Sequence, residues 1–328
     1  MTHEQPTGAL AWAVVLNPSK FDDVDAVKQQ LTAKATELGH GEPRWYPTTV
    51  DDPGVEMARQ AVDDGAELVC AMGGDGTVRN VAGVLRSTDV TLGLLPAGTG
   101  NLLARNLGLP VDDLEQCLEI ALAGADHRID VGVATFGDSD HEEPFVIAAG
   151  IGLDADIMAE TDENLKSTIG RAAYVAAGVK ALAKRGFEAR VTVDGQMRKP
   201  QHVRMVMVCN SPSIGSGVTL AEEGAVDDGE LDTVMVSPKG LFGWATVIGD
   251  LVTHHRAGHS RIQEQSGTHV VVEVDEPKLA EVDGDPLDEV TRFEARMDAG
   301  SLVVRVAVPP EDSYPTDEMV DEAQDDLD

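Results

Sequence analysis

The chain has 328 residues, 42% of them hydrophobic, which is long enough for two domains and apolar enough to pack both. Its 58 Asp and Glu against 25 Lys and Arg give a formal net charge of −33, which argues against a protein that binds nucleic acid through a basic face. The cysteines Cys70, Cys117 and Cys209 are odd in number and widely spaced, so we expect free thiols in a reducing cytoplasm.

The first third of the chain alternates strand signals with helical patterns. Short apolar runs predict strands at Leu10–Leu16, Trp45–Tyr46, Leu68–Met72 and Thr91–Leu95. Apolar residues at helical spacing follow at Val24–Leu38, Ala58–Val62, Val78–Leu85 and Leu114–Ala121. Asp52 and Pro53 are predicted to begin the second helix, as N-cap and first helical residue. This alternation predicts a three-layer α/β domain with a parallel sheet over residues 8–128.

Strand signals dominate after residue 128. They lie at Ile129–Thr135, Pro144–Ala149, Glu188–Val193, Val203–Cys209, Leu231–Val236, Val270–Val274 and Leu302–Val308. Helical patterns interrupt them at Leu165–Lys184 and Leu241–His255. We therefore expect a mainly β, sandwich-like second domain over residues 129–308. The tail at 309–328 carries nine acidic residues and no basic one, so we expect it to be disordered.

A glycine-rich turn, Gly73-Gly74-Asp75-Gly76-Thr77, lies between a predicted strand and a predicted helix. Glycines there let the backbone adopt positive φ and approach a ligand closely. The free N–H groups of the following helix attract phosphate. A tight β–α turn needs only one or two glycines. Three glycines therefore favour a phosphate or nucleotide site. The carboxylate among them would repel phosphate unless a cation lies between the two.

A second glycine-rich turn follows the next strand, with the sequence Pro96-Ala97-Gly98-Thr99-Gly100-Asn101. The carboxyl ends of adjacent parallel strands meet at one edge of a sheet, so both turns can face one crevice. Asn17 ends the first strand at the same edge. The pattern GxxxxGK[ST] is absent, so this is not a P-loop site.

Two acidic turns lie in the second half. Glu281-Val282-Asp283-Gly284-Asp285 places carboxylates on both sides of a glycine, which suits metal binding or base catalysis and equally suits an ordinary β-turn. The segment 227–232, DDGELD, has the composition of a solvated hairpin turn. A GxGxxA pattern at residues 150–155 resembles a dinucleotide fingerprint. No acidic residue ends a second strand about 20 residues later, so no nicotinamide site is predicted.

One stretch, Leu165–Arg190, opposes the overall charge with six basic residues against Glu188. It is either a packed helix with a solvated basic face or a membrane-docking edge, where each base near an anionic surface adds roughly 1 kcal/mol. No segment approaches the ~18 apolar residues that a membrane span needs, so any membrane contact is expected to be peripheral. His254, His255 and His259 lack the partner spacing of a metal site.

The motifs GGDGT and PAGTGN, with Asn17-Pro18-Ser19 after the first strand, resemble the diacylglycerol kinase catalytic family of lipid kinases, which includes sphingosine kinases and soluble bacterial enzymes. The resemblance covers roughly residues 10–308 and implies a nucleotide-binding α/β domain followed by a β-rich lipid domain. GGDGT alone is shared with NAD kinases and phosphofructokinase-like enzymes. The specificity of the resemblance comes from the combination of motifs.

By this resemblance, ATP is the co-substrate and binds at the edge of the first domain. The residues implied in nucleotide contact are Asn17, Thr49 (or Thr48), Gly73, Gly74, Asp75, Gly76, Thr77, Thr99 and Asn101, with the segment continuing to Arg79. The family commonly has Asn at the position of Arg79, and here Asn80 stands one step later.

The resemblance also implies a base and a metal. The family's DGE motif, whose Glu is the proposed base, matches Asp285, with Asp283 able to share the role and Asp75 as a further catalytic carboxylate. A structural Mg²⁺ is implied at Asp228, with the backbone carbonyls of Ala225 and Glu230.

We therefore predict an ATP-dependent, Mg²⁺-using lipid kinase that converts diacylglycerol to phosphatidic acid. It is expected in the cytoplasm, in peripheral contact with the inner membrane face, and a homodimer is left open. Phosphorylation of a sphingoid base or of NAD is the first alternative. The second is a non-catalytic relative that binds nucleotide or lipid, which the Asp at position 285 favours.

Overall fold

The computed structural model describes residues 10–152, 186–213, 224–237 and 262–308. The predicted helices Leu165–Lys184 and Leu241–His255, the acidic tail, the three clustered histidines and most of the basic stretch lie outside these ranges.

Four parallel strands form one end of the sheet, in the order β4-β3-β1-β2. Their bounds are β1 Trp12–Leu16, β2 Arg44–Pro47, β3 Leu68–Gly73 and β4 Thr91–Pro96. Every residue of β1 and β3 is buried, as expected of parallel strands that are covered on both faces.

Helices cover these strands, and their bounds are α1 Val24–Glu37, α2 Val55–Asp63, α3 Asp75–Leu85, α4 Leu102–Asn106 and α5 Leu114–Ala123. Helix α1 packs against α5, and α2 packs against α3. The predicted N-cap is wrong, because Gly54 rather than Asp52 precedes the first residue of α2, although the Asp52 carboxylate still accepts the N–H groups of Gly54, Val55 and Glu56. The helix begins at Val55 rather than Pro53, because Gly54 intervenes at φ 136°.

The remaining strands are mainly antiparallel and confirm the sandwich-like second part. Their bounds are β5 Ala125–Phe136, β6 Glu143–Phe145, β7 Ala148–Ile151, β8 Phe187–Val193, β9 Gln196–Met197, β10 Gln201–Val203, β11 Met205–Cys209, β12 Leu231–Val236, β13 Ile262–Gly267, β14 His269–Val282 and β15 Asp285–Val306. The predicted strands 144–149 and 203–209 each fall into two pieces. Strand β13 escaped prediction because its sequence, IQEQSG, is polar.

Strand β15 connects the two parts of the fold. It forms a hairpin with β14 through a turn at Asp283 and Gly284, and it pairs with β5 along much of its length. Near its end, Val304 pairs in parallel with Leu92 of β4. The hairpin turn is therefore tied through one strand to the sheet of the first domain. Across the described ranges, no helix is both long and apolar enough to cross a membrane.

Candidate active site

The first glycine turn joins the end of β3 to the start of α3, with Gly74 as the helix N-cap. None of Gly73, Gly74 and Gly76 has a positive φ, which corrects the expectation drawn from their sequence. Gly73 is required for close packing instead, since a methyl group added there would collide with the side chain of Thr77, whereas one added at Gly74 would make ordinary contacts at 3.7 Å. The first N–H groups of α3, which have no partners inside the helix, open at this turn.

The second glycine turn lies directly against the first. A methyl group on Gly98 would lie 2.7 Å from the Cα atom of Gly74, and one on Gly100 would lie 2.5 Å from Oδ2 of Asp75. The N–H of Ala97 donates to the carbonyl oxygen of Gly73. The two turns therefore form one continuous surface, as the shared strand edge predicts.

Asp75 and Asn101 hold these turns together. The carboxylate of Asp75 accepts the N–H groups of Asn101 and Leu102, at 3.1 and 2.6 Å. Burial raises the pKa of Asp75, and these backbone N–H groups oppose the rise. Asn101 lies in the left-handed region at φ 48°, and its side chain exchanges two hydrogen bonds with the backbone of Gly98. Both side chains are therefore engaged in shaping the turns.

The other residues expected to contact nucleotide differ in their placement. The Oδ1 atom of Asn17 accepts the N–H and hydroxyl of Ser19, which orders the loop after β1. Thr77 is buried against Gly73, whereas Thr49 and Thr99 are exposed.

Lysine 20 is a cation at this edge that the sequence reasoning missed. A methyl group on Gly74 would lie 3.7 Å from Cε of Lys20, so the lysine side chain lies over the first glycine turn. Its signal in the sequence was a basic residue three positions after Asn17, in a loop already assigned to the same sheet edge.

The structure brings Asp285 to the first glycine turn. Its Oδ2 atom would lie 3.2 Å from a methyl group on Gly76, and it lies 2.9 Å from Nη2 of Arg79. Nη1 of Arg79 donates to the carbonyl oxygen of Val282 at 2.6 Å. The Asp285 side chain is 54% exposed, so a substrate can reach it.

Asp283 takes a different position from Asp285. Its buried carboxylate accepts the N–H groups of Val146, Ile147 and Ala148 at 2.9 to 3.0 Å. Burial raises the pKa of Asp283 to about 6, and these backbone N–H groups oppose the rise. All three donors belong to the β6–β7 region, so Asp283 anchors the hairpin turn and its carboxylate is already occupied.

Glu281 is a third carboxyl group of this hairpin, and it was not among the predicted site residues. Its side chain is buried and accepts the N–H of Gly284 at 3.1 Å. Burial, and next the charge of Asp283, raise the pKa of Glu281 to about 8. The fold therefore favours the protonated form of Glu281.

The turn at Asp228 is held by its own hydrogen bonds. The two carboxylate oxygens of Asp228 accept the N–H groups of Ala225 and Glu230, at 2.8 and 2.9 Å. One carboxylate with nearby backbone carbonyls suits a hard cation in chemistry. In the part of the chain that the structure describes, however, no group of three or more His, Cys, Asp or Glu could hold a metal ion. The Mg²⁺ site stays a prediction.

Asp130, which the sequence analysis did not single out, supports the same turn. Its buried carboxylate accepts the N–H groups of Gly229 and Gly300, at 2.7 and 2.5 Å. An acidic residue inside the apolar run of β5 was the available signal.

Two family models together match most of the chain. "Diacylglycerol kinase catalytic domain" matches residues 11–134, and "YegS C-terminal NAD kinase beta sandwich-like domain" matches residues 146–305.

Curated relatives show the same likeness. A diacylglycerol kinase of Bacillus subtilis is 26% identical over 78% of this chain and 83% of its own length. A protein of Pseudomonas fluorescens described as "Probable lipid kinase YegS-like" is 30% identical over 78% of this chain and 80% of its own. Other relatives are matched over little more than half of their length, 53% and 58% in two cases.

Solved structures share the fold. A diacylglycerol kinase from Bacillus anthracis superimposes with a TM-score of 0.67 at 18% identity, covering 90% of this chain and 96% of the other. An NAD kinase from Archaeoglobus fulgidus in complex with ATP is more distant, with a TM-score of 0.51 at 12% identity, covering 90% and 93%. At these identities the likeness is one of fold.

Proposed function

The chain belongs to the family of the diacylglycerol kinase catalytic domain, and from this premise we propose that it is an ATP-dependent kinase that phosphorylates diacylglycerol to phosphatidic acid. The observation that carries the proposal is the meeting of Asp285 with the first glycine turn. A carboxylate from the β14–β15 hairpin lies beside the backbone that opens α3, 3.2 Å from a methyl group placed on Gly76.

The nucleotide is proposed to bind along the two glycine turns. The N-terminus of α3 offers free N–H groups and a partial positive charge to the phosphates, and Lys20 adds a full positive charge beside Gly74. Asp75 keeps the second turn in place through Asn101 and Leu102. Mg²⁺ bound with the nucleotide would offset the negative charge of the phosphates and of the nearby carboxylates.

Asp285 is the proposed base. As the primary hydroxyl oxygen of the lipid bonds to the γ-phosphorus, its proton passes to the Asp285 carboxylate. The bond from the γ-phosphorus to the β–γ bridging oxygen breaks, and ADP leaves. Alignment of the hydroxyl, the base and the phosphate supplies most of the rate enhancement in such a reaction.

The proposal is tested with γ-labelled ATP against diacylglycerol, sphingosine and NAD. We expect a labelled, chloroform-soluble product from diacylglycerol. Asp285→Asn should lower turnover by about 10² or more, the usual contribution of a general base. Asp288→Asn, which alters an exposed carboxylate three positions along β15, should not.

The same assay separates the alternatives. Labelled sphingosine phosphate would identify sphingosine as the substrate in place of diacylglycerol, and labelled NADP would identify NAD. ATP binding without any labelled product would favour a binding protein. Unchanged turnover in Asp285→Asn would remove this residue from the chemistry.

Contact with a membrane is also proposed, since the substrate resides there. The support is the basic stretch in the sequence, most of which lies outside the described residues. Sedimentation with vesicles of anionic and of neutral lipid tests it, and binding to neither would contradict it.

A further inference from the structure

Arg79 links the helix of the phosphate site to the acidic hairpin. It lies on the second turn of α3, four residues after Asp75, and its side chain is 11% exposed. Its guanidinium forms two bonds at once: Nη1 donates to the carbonyl oxygen of Val282, and Nη2 pairs with Oδ2 of Asp285. One rigid group therefore fixes both the backbone of the hairpin and the carboxylate that follows its turn.

We propose that Arg79 is a positioning residue, which sets the location of Asp285 relative to the first glycine turn. This inference rests on the proposed function for its catalytic consequence, whereas its structural part stands on the contacts alone. The planar guanidinium presents its donors in a fixed fork, so the two bonds define a direction as well as a distance. A lysine at the same position would keep the charge and lose the fork.

The surroundings explain why the hairpin depends on this arginine. Glu281, Asp283 and Asp285 lie within five residues of one another, and Asp285 is half exposed. Three backbone N–H groups fix the carboxylate of Asp283. The carboxylate of Asp285 instead pairs with the Arg79 guanidinium and lies close to Gly76. Without Arg79, the Asp285 side chain is free to turn toward water and away from like charges.

Arg86 provides a matched control on the same helix. It follows the last residue of α3, its side chain is 19% exposed, and it pairs with Glu142 and Asp298. It thus makes a similar number of bonds to residues beyond position 128, at the end of α3 that is remote from the glycine turn. Loss of Arg86 should lower stability without displacing Asp285.

The experiment compares Arg79→Gln, Arg79→Lys and Arg86→Gln in the full-length protein. We measure kcat, KM for ATP, ATP binding in the absence of lipid, and hydrogen exchange of peptides that cover residues 279–287. Arg79→Gln should lower kcat by about 10- to 100-fold, the scale expected for a misplacement of about 1 Å. Because the guanidinium is engaged by Val282 and Asp285, and not by the nucleotide contact that the resemblance implied, ATP binding should change little. Arg79→Lys should remain well below the wild type.

Hydrogen exchange gives a readout that does not need turnover. In Arg79→Gln the 279–287 peptides should exchange faster than in the wild type, and in Arg86→Gln they should not. If the wild type shows no kinase activity but the variants show this exchange pattern, the proposed function is wrong and the inference that Arg79 positions the hairpin still holds. Unchanged exchange in Arg79→Gln would overturn the inference. So would a kcat for Arg79→Lys equal to that of the wild type, or equal losses of kcat in Arg79→Gln and Arg86→Gln.

Discussion

Replacing the buried carboxyl group of Glu281 by an amide should stabilise the protein at alkaline pH. Burial raises the pKa of Glu281 from 4.5 to about 8 in the folded chain, so the fold favours the protonated form. Between these two pH values the folded state holds a proton that the unfolded state has released. The free energy of unfolding therefore falls as the pH rises through this window and levels off above the folded pKa.

The size of the effect follows from the two pKa values. Each pH unit between them is worth about 1.4 kcal/mol, so the whole window amounts to at most about 5 kcal/mol. The sequence pI of about 4.4 makes precipitation a hazard near the lower limit. Between pH 5.5 and pH 8, the part of the unfolding free energy that depends on Glu281 should still change by about 3 kcal/mol.

The assay is urea unfolding of wild type and Glu281→Gln at several pH values from 5.5 to 8.5. The glutamine keeps an oxygen that can accept the N–H of Gly284 and has no proton to lose. Its unfolding free energy, relative to that of the wild type, should rise by up to about 3 kcal/mol across this range. Glu142→Gln is the control, because Arg296 and Arg86 lower the pKa of Glu142. The difference in unfolding free energy between Glu142→Gln and the wild type should therefore stay constant above pH 5.5. A constant difference for Glu281→Gln as well would refute the reasoning.

Four further variants test other contacts of the site. Gly98→Ala should weaken ATP binding, because the added methyl would lie 2.7 Å from Cα of Gly74 and force the turns apart. The control Gly41→Ala, whose added methyl would have nothing within 4 Å, should bind ATP normally. Equal ATP affinities of the two variants would contradict the packing argument. Asp283→Ala should lower the free energy of unfolding by at least about 3 kcal/mol, because three buried N–H groups lose their acceptor, and a loss below about 1 kcal/mol would be inconsistent with those bonds. Asp75→Ala should abolish turnover while far-UV circular dichroism stays native, and full activity would exclude Asp75 from the mechanism. If Asp228 binds Mg²⁺, then Mg²⁺ should raise the Tm of the wild type more than that of Asp228→Asn; equal rises would place the ion elsewhere.

The strand-edge argument predicted the convergence of the two glycine turns, because the direction of parallel strands depends on local patterns that the sequence displays. It could not predict why the glycines are there. Positive φ was expected at the glycines of the first turn, whereas the structure requires glycine at Gly73 because of Thr77 and at Gly98 because of Gly74. Such contacts depend on how two distant segments meet, which no local pattern contains.

The acidic hairpin shows the same limit. The role considered for Asp285 came from a resemblance, and its nearness to Gly76 became visible only in the fold. Asp283 and Asp285 have equal standing in the sequence, yet one is buried on three backbone N–H groups and the other is half exposed. Asp130 went unnoticed because a single acidic residue in a strand is uninformative until its partners are known, and Glu281 was named in the acidic turn without a role of its own.

The path of β15 bears on how the chain folds during synthesis. On the side of β4 away from β3, the neighbouring strand is β15, in which Val304 pairs with Leu92. Val304 leaves the ribosome some 200 residues after β4 itself. Until then the edge of β4 has no neighbour on that side, and an unpaired strand edge invites pairing with other chains. Pairing over so long a loop is slow. A fragment that stops at residue 128 should therefore aggregate, and nascent chains should need a chaperone until their last strand is complete.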